Sequence, residues 1–133
     1  MKYLKSRINF DQSLNESLKN RVNKKCNKYQ IKNWSLNSEG LVDVEGSVYL
    51  RGLGLSRIPL KFGKVTGDFY CNDNQLTSLE GCPSYVGMGF YCGHNKLNSL
   101  EGCPKHIGGE VIEILDDSVV MKVIVTKSRV YPK

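Results

Sequence analysis

Residues 67–87 read GDFYCNDNQLTSLEGCPSYVG, and residues 88–108 read MGFYCGHNKLNSLEGCPKHIG. The two stretches match along nearly their whole length at an offset of 21 residues. A fixed period of roughly 20 to 29 residues is typical of a solenoid, in which each unit buries its apolar face by stacking on its neighbours. We therefore expect a short solenoid whose interior is built from columns of equivalent positions.

The apolar columns of the repeat extend beyond these two copies. One period earlier, they continue in a degenerate copy at Val48, Tyr49, Leu50, Leu55, Ile58 and Val65. On the other side, Ile107, Val111 and Ile112 keep the strand positions before the pattern ends near Asp116. The sequence thus predicts about three coils and four stacked strands.

The order of residues within each copy resembles the leucine-rich repeat. Phe69-x-Cys71-x-x-Asn74-x-Leu76, with its equivalent one period later, is similar to the L-x-L-x-x-N-x-L core of that family. The form FYCxxNxLxSLEGCPxxVG resembles leucine-rich-repeat-like proteins of tailed bacteriophages, and the resemblance covers residues 44–112. It implies a solenoid whose sheet face is the usual place for a partner to bind.

The resemblance also implies a role for two asparagines. In leucine-rich repeats this side chain turns inward and bonds backbone groups of adjacent coils, which would be the structural role of Asn74 and Asn95. Buried amides of a turn need such partners. Leu53 stands at the equivalent position of the first coil, where the sequence departs from the family pattern.

The predicted fold is α/β: a short leucine-rich-repeat-like solenoid over residues 44–115, within a single domain of residues 1–133. Open solenoid ends must be covered. Residues 1–43 are therefore expected to form a helical cap and lead-in, and residues 116–133 a strand cap that includes the Val-rich stretch 119–125.

The helix of the amino-terminal cap has its own signals. Residues 13–16, Ser-Leu-Asn-Glu, have the form of a capping box, which predicts that the helix begins there. Apolar residues then recur every four positions, at Leu14, Leu18, Val22 and Cys26. This narrow apolar stripe predicts that one face of the helix covers the first coil.

The net charge of +6 is unevenly distributed. Residues 1–33 hold nine Lys or Arg against two acidic residues, whereas the rest of the chain holds ten against eleven. Such asymmetry favours an anionic partner, so contact with a nucleic-acid backbone is an alternative to a purely capping role. The basic residues that would make it are Lys19, Arg21, Lys24, Lys25 and Lys28. Membrane-surface binding has less support, because the apolar stripe lacks bulky Trp and Phe.

Alternation along each strand places Phe69 and Cys71 inward and Tyr70 outward. At the 21-residue period, three tyrosines share this outward column and should form a row. They either only stabilise the sheet or form an aromatic hot spot for a protein partner. The predicted partner-binding residues are Tyr49, Tyr70, Tyr91, Arg51, Asp68, Asn72, Asp73 and His94.

The sequence gives little support to metal binding or catalysis. Cys71 and Cys92 share the inward parity of the core, so we expect buried apolar side chains rather than zinc ligands. No phosphate-binding loop, nucleophile elbow or metalloprotease motif occurs. The aligned Glu80 and Glu101 are expected to bond backbone amides at turns rather than to act as acid and base. We therefore expect no metal, no cofactor and no enzyme activity.

Together these features favour a protein-protein interaction module. The bacteriophage resemblance implies a protein that binds and inhibits a host or defence factor. The alternatives are nucleic-acid binding through the basic helix and a self-associating structural component. Five cysteines without a secretory signal, and no apolar stretch near the roughly 18 residues of a membrane span, favour a location in the cytoplasm, that of the host if the protein is phage-encoded.

Overall fold

A computed structural model of the chain describes residues 2–109, 111–112 and 129–130, with side chains described for 15–109. It contains one helix, α1 (Lys2–Lys28), followed by short strands. The strands are β1 (Trp34–Leu36), β2 (Val42–Val44), β3 (Val48–Tyr49), β4 (Phe62–Val65), β5 (Phe69–Tyr70), β6 (Tyr85–Val86), β7 (Phe90–Tyr91), β8 (His106–Ile107), β9 (Val111–Ile112) and β10 (Arg129–Val130).

Four strands form a parallel sheet in the order β3-β5-β7-β9, which we call the front sheet. Its register follows the repeat, since Val48 pairs with Phe69, Phe69 with Phe90, and Phe90 with Val111. Each pairing joins residues 21 positions apart. The prediction of four stacked parallel strands is therefore confirmed.

A second sheet, the back sheet, has the order β1-β2-β4-β6-β8-β10. Its four inner strands are parallel, while β1 and β10 pair antiparallel with β2 and β8 at the two edges. The sequence analysis did not separate this sheet from the front one. Its inner positions were visible in the same pattern, because Val65, Val86 and Ile107 recur at 21 residues and are buried.

The core lies between the two sheets and is built from stacked equivalent side chains. Phe69 lies 6.0 Å from Phe90 between ring centroids, and Phe62 meets Phe69 edge to face at 5.2 Å. Burying one such side chain contributes about 1.5–3 kcal/mol relative to leaving it exposed. Stacking of neighbouring coils thus supplies the burial that no single coil of this size could supply alone.

Helix α1 covers the first coil with the predicted apolar stripe. Val22 and Cys26 are buried and Leu18 is partly buried against the same core. The prediction that the helix begins at residues 13–16 was wrong, because α1 begins at Lys2 and that stretch lies inside it. Residues 2–12 contain neither Gly nor Pro, so nothing stops helix propagation toward the amino terminus, and a capping sequence alone does not set the boundary.

The end of α1 is a Schellman motif. The amide of Ile31 donates to the carbonyl of Cys26 at 2.8 Å, and that of Gln30 donates to Asn27 at 3.3 Å. Gln30 holds the left-handed position of the motif, with a φ of 56°, which is usually taken by glycine. The turn directs the chain into Trp34–Leu36 (β1), so the lead-in adds an antiparallel strand to the edge of the back sheet.

The carboxyl-terminal strand cap is only partly visible in these elements. Strand β10 (Arg129–Val130) pairs with β8, whereas the Val-rich stretch 119–125 lies outside the described residues. The division into one domain with two caps remains a prediction. Within the described part of the chain, no helix has the length and apolar character needed to cross a membrane.

Candidate functional site

Three tyrosines form a stacked row on the outer face of the front sheet, as predicted. The ring centroids of Tyr49 and Tyr70 lie 5.3 Å apart with planes 11° apart, and those of Tyr70 and Tyr91 lie 4.7 Å apart with planes 7° apart. Tyr49 is 66% exposed, and the other two are half-buried. We call Tyr49, Tyr70 and Tyr91 the tyrosine row.

A polar ladder at the start of the strands supports the row. The amide of Asp68 donates to Ser47 Oγ at 2.9 Å, and Asp68 Oδ1 accepts the amide of Gly89 at 2.8 Å. The phenol of Tyr70 donates to Asp68 Oδ2 at 3.4 Å. Asp68 therefore links three coils and also contacts the central ring of the row.

The surroundings of Tyr70 shift its ionisation. Burial beside the neighbouring rings and the negative charge of Asp68 raise the pKa of the Tyr70 phenol above its usual value. The phenol is consequently neutral and available as a hydrogen-bond donor throughout the physiological range.

Glycine at position 89 gives Tyr91 its space. A Cβ at Gly89 would lie 2.5 Å from Tyr91 Oη and 2.7 Å from its ring. The ring of Tyr91 therefore lies back along its own strand, above Gly89. In the coil before, Asp68 holds the equivalent position, so the row has a carboxylate beside one ring and bare backbone beneath the next.

Charged and polar residues border the other side of the row. Arg51 Nε donates to Asp73 Oδ2 at 2.9 Å in an exposed ion pair, and the Asn72 amide donates to the same oxygen at 2.9 Å. Exposed pairs of this kind contribute little to stability. Their effect is to hold Arg51, Asn72 and Asp73 together at the edge of the tyrosine row.

Asp73 and His94 occupy an unusual backbone position. Their φ angles of 58° and 54° are left-handed, as is the φ of 67° at the equivalent Gly52. His94 thus lies one coil beyond Asp73 in the same column and is exposed. All eight predicted partner-binding residues therefore lie on or beside the front sheet.

Asn74 and Asn95 form the predicted ladder. Asn74 Oδ1 accepts the amides of Leu53 and Leu55 at 3.0 and 2.9 Å, and its Nδ2 donates to the Leu50 carbonyl at 2.7 Å. One coil later, Asn95 Oδ1 accepts the Leu76 amide at 2.9 Å. The ladder reaches the first coil through Asn74, so Leu53 need not supply an amide there and is 49% exposed.

The back sheet carries a second stacked column, which the sequence analysis missed. Tyr85 stacks on His106 with ring centroids 4.6 Å apart, and Lys64 Nζ lies 4.8 Å from the centre of the Tyr85 ring. These three residues are spaced by 21, so the signal was present in the repeat. They were overlooked because their side chains differ in type.

The basic residues of α1 divide into two groups. Arg21, Lys24 and Lys25 line a groove between the helix and the first coil, whereas Lys28 lies 5.4 Å from the centre of the Tyr29 ring. Lys19 is exposed and does not line the groove.

The groove has a volume of about 1090 Å³. Arg57 and Lys61 complete its cationic lining from the first coil, and Lys25 Nζ donates to the Pro59 carbonyl at 3.0 Å. We call this feature the basic groove. The sequence analysis missed Arg57 and Lys61, although they stand where later coils have Ser and Cys.

The cysteines behave mainly as core residues. Cys71 and Cys92 are buried, as predicted, while Cys82 and Cys103 are half-buried. A hydrogen bond with Cys82, together with burial, raises the pKa of Cys71, and burial raises that of Cys26 to about 11. No cluster of His, Cys, Asp or Glu suited to a metal ion lies among the described residues.

The stacked row, the polar border beside it and the basic groove are thus the features of this chain with which a ligand could make contact. Comparison of the chain with family models, with curated proteins and with solved structures finds no match.

Proposed function

We propose that the protein is a leucine-rich-repeat-like solenoid that binds a protein partner through the tyrosine row. The observation that carries the proposal is the stacking of three parallel tyrosines, at 5.3 and 4.7 Å, on one outer sheet face. Aromatic side chains with a polar tip are the commonest anchors of protein interfaces.

The stacked arrangement suits binding for an entropic reason. Immobilising a flexible side chain on association costs about 0.5–1.5 kcal/mol. Tyr70 is already ordered between two rings and bonded to Asp68, so it has little freedom left to lose. Tyr49 ends the row and is the most exposed of the three, so a partner would gain most buried area there.

The border of the row supplies specificity. The Arg51–Asp73 pair, Asn72 and the exposed His94 offer charges and hydrogen-bond groups around the aromatic centre. A polar rim around an apolar centre is the usual organisation of a protein interface. The phage-like form of the repeats supports a host or defence factor as the partner, met in the host cytoplasm and inhibited by occupation of its surface.

The test compares two pairs of tagged variants. Tyr49→Ala with Tyr70→Ala removes two rings of the row, whereas Tyr85→Ala with His106→Ala removes a stacked pair from the back sheet. Proteins captured from a host lysate by the wild type are identified, purified and titrated against each variant. We expect the first pair to weaken binding by at least about 100-fold, the loss of about two hot-spot residues, and the second to leave it within a few fold. Equal binding by both variants would overturn the proposal.

Two other functions are separated by simple measurements. Nucleic-acid binding is favoured by the clustering of Arg21, Lys24 and Lys25 with two further cations in the basic groove. Contacts with phosphates weaken steeply between about 50 and 200 mM salt, whereas an aromatic contact hardly responds. A self-associating component would show a concentration-dependent mass in solution that Tyr49→Ala abolishes.

A further inference from the structure

We propose that the basic groove is a second binding site, which takes an acidic peptide segment carrying aliphatic side chains. The proposal is independent of the tyrosine row, because the groove lies on other elements. One wall comes from α1 and the other from residues 54–61, with Thr77–Gly81 at one end.

The size of the groove fits a segment of chain. Sites for small molecules typically have volumes of about 300–1,000 Å³. The basic groove, at about 1090 Å³, lies just above this range and is open to solvent. An extended stretch of several residues can therefore enter it from outside without any rearrangement of the core.

The charge of the lining is strongly unbalanced. Its basic residues are Arg21, Lys24, Lys25, Arg57 and Lys61, against the single carboxylate of Glu80. Among the ion pairs of the described residues, none neutralises any of these five cations. Lys25 bonds the Pro59 carbonyl, which uses one of its three donors and ties the helix to the opposite wall.

The solenoid itself does not require these charges. Arg57 corresponds to Ser78 and Ser99 in the later coils, and Lys61 corresponds to Cys82 and Cys103. The backbone path is shared by all three coils, so the two cations belong to the coil that faces α1 and to no other. Their placement opposite the basic face of the helix concentrates positive potential in one cleft.

The apolar part of the lining distinguishes a peptide from other anions. Most of the core side chains are 0–3% exposed, whereas Val22, Ile58 and Leu60, which all line the groove, are 6–7% exposed. Leu18 and Leu55 beside them are only partly buried. The core is thus incompletely covered at this point, and an aliphatic side chain from a ligand would complete it.

A nucleic acid would use the cations but not this surface. Single strands bind chiefly by stacking bases on aromatic rings, and each stack contributes about 1–3 kcal/mol. The only aromatic residue in the described lining is Tyr29, and Lys28 already lies over its ring at 5.4 Å. A peptide in which Leu and Glu alternate matches both the aliphatic floor and the cationic walls.

The experiment titrates the full chain with a short labelled peptide of alternating Leu and Glu, by fluorescence anisotropy. Three further probes are the same peptide with Gln for Glu, the same peptide with Ser for Leu, and labelled oligothymidine. We expect only the first peptide to bind well, with each substituted peptide weaker by at least about tenfold. Oligothymidine binding at least as tightly as the peptide would overturn the proposal in favour of a nucleic-acid site.

Matched charge reversals locate the site. Arg57→Glu with Lys61→Glu should weaken peptide binding by at least about tenfold, and Lys24→Glu on the opposite wall should weaken it in the same direction. Lys96→Glu with Lys105→Glu makes the same change of charge on later coils and should have little effect. Equal losses in the two double variants would mean general charge attraction and would refute the groove as the site.

Folding and the first proposal are controlled separately. All five substituted side chains are exposed, so thermal unfolding of each variant should match the wild type, and Lys24→Glu gives a second route if one double variant does not fold. Tyr49→Ala with Tyr70→Ala should bind the peptide normally. Failure of the tyrosine row as a partner site therefore leaves this result intact, and failure of peptide binding leaves that one intact.

Discussion

The side-chain amide of Asn74 donates to the Leu50 carbonyl of the preceding coil at 2.7 Å, while its oxygen accepts two amides from the turn of that coil. One buried side chain therefore joins two coils through donor and acceptor at once. Leaving such groups buried without partners costs about 1–3 kcal/mol.

Asn74→Ala should consequently lower the free energy of unfolding by about 2–3 kcal/mol, because the Leu53 and Leu55 amides and the Leu50 carbonyl lose this partner together. Urea denaturation followed by circular dichroism measures the change. Asn98→Ala is the control, since Asn98 is exposed, and it should shift stability by less than about 0.5 kcal/mol. An unchanged midpoint for Asn74→Ala would contradict the assigned role.

The raised pKa of Tyr70 predicts a pH dependence. Because the folded state holds this proton more tightly than the unfolded chain, the associated stability is fully present below the usual tyrosine pKa of about 10 and is lost as pH rises through the folded value. Titration of phenolate absorbance in the wild type and in Tyr70→Phe isolates this group. Asp68→Asn should bring the pKa of Tyr70 back toward its usual value, and a wild-type Tyr70 titrating normally would contradict the geometry.

The left-handed Gln30 predicts a stabilising glycine. A non-glycine residue in this conformation costs about 1–2 kcal/mol, part of which glycine returns through greater freedom in the unfolded chain. Gln30→Gly should therefore raise the free energy of unfolding by about 0.5–1 kcal/mol. The matched change Asn27→Gly, inside α1, should lower it by up to about 1 kcal/mol. Destabilisation by both would argue against the Schellman motif.

The buried thiol of Cys26 should react slowly. Thiolate is the reactive form, and a pKa of about 11 leaves very little of it at neutral pH. Mass spectrometry after brief alkylation should find Cys26 unmodified in the native protein and fully modified in denaturant. Val22→Ala, which opens the packing beside it, should speed the native reaction, whereas Lys96→Ala should not. Rapid modification in the native protein would show that α1 is not packed on the first coil.

The parts of the fold that could be predicted are those in which equivalent residues meet. Tyr70 on Tyr91, Phe69 on Phe90 and the asparagine ladder all follow from one period, because stacking brings each residue to its own copy. Contacts between unlike segments carry no such signal. The pairing of β1 with β2 and the meeting of α1 with residues 54–61 belong to this class.

Other differences have different physical causes. The capping sequence near Ser13 describes a favourable local start but says nothing about helix-forming residues before it, so the start of α1 at Lys2 was missed. The left-handed backbone at His94 was also missed, because a bulky residue seldom adopts it and only comparison with Gly52 would have indicated it. The column of Lys64, Tyr85 and His106 was within reach of the period but hidden by its mixed chemistry.

The pairing of every front strand with the strand 21 residues later makes the length of the tyrosine row a property that can be counted in modules. Duplicating residues 67–87 in place would add one ring, one aspartate below it and one inward asparagine, without altering either cap. Deleting the same unit would shorten the row to two rings. Reach along a partner and resistance to unfolding are therefore adjusted in the same discrete step, so a chain of this design can lengthen its contact surface only by lengthening its core.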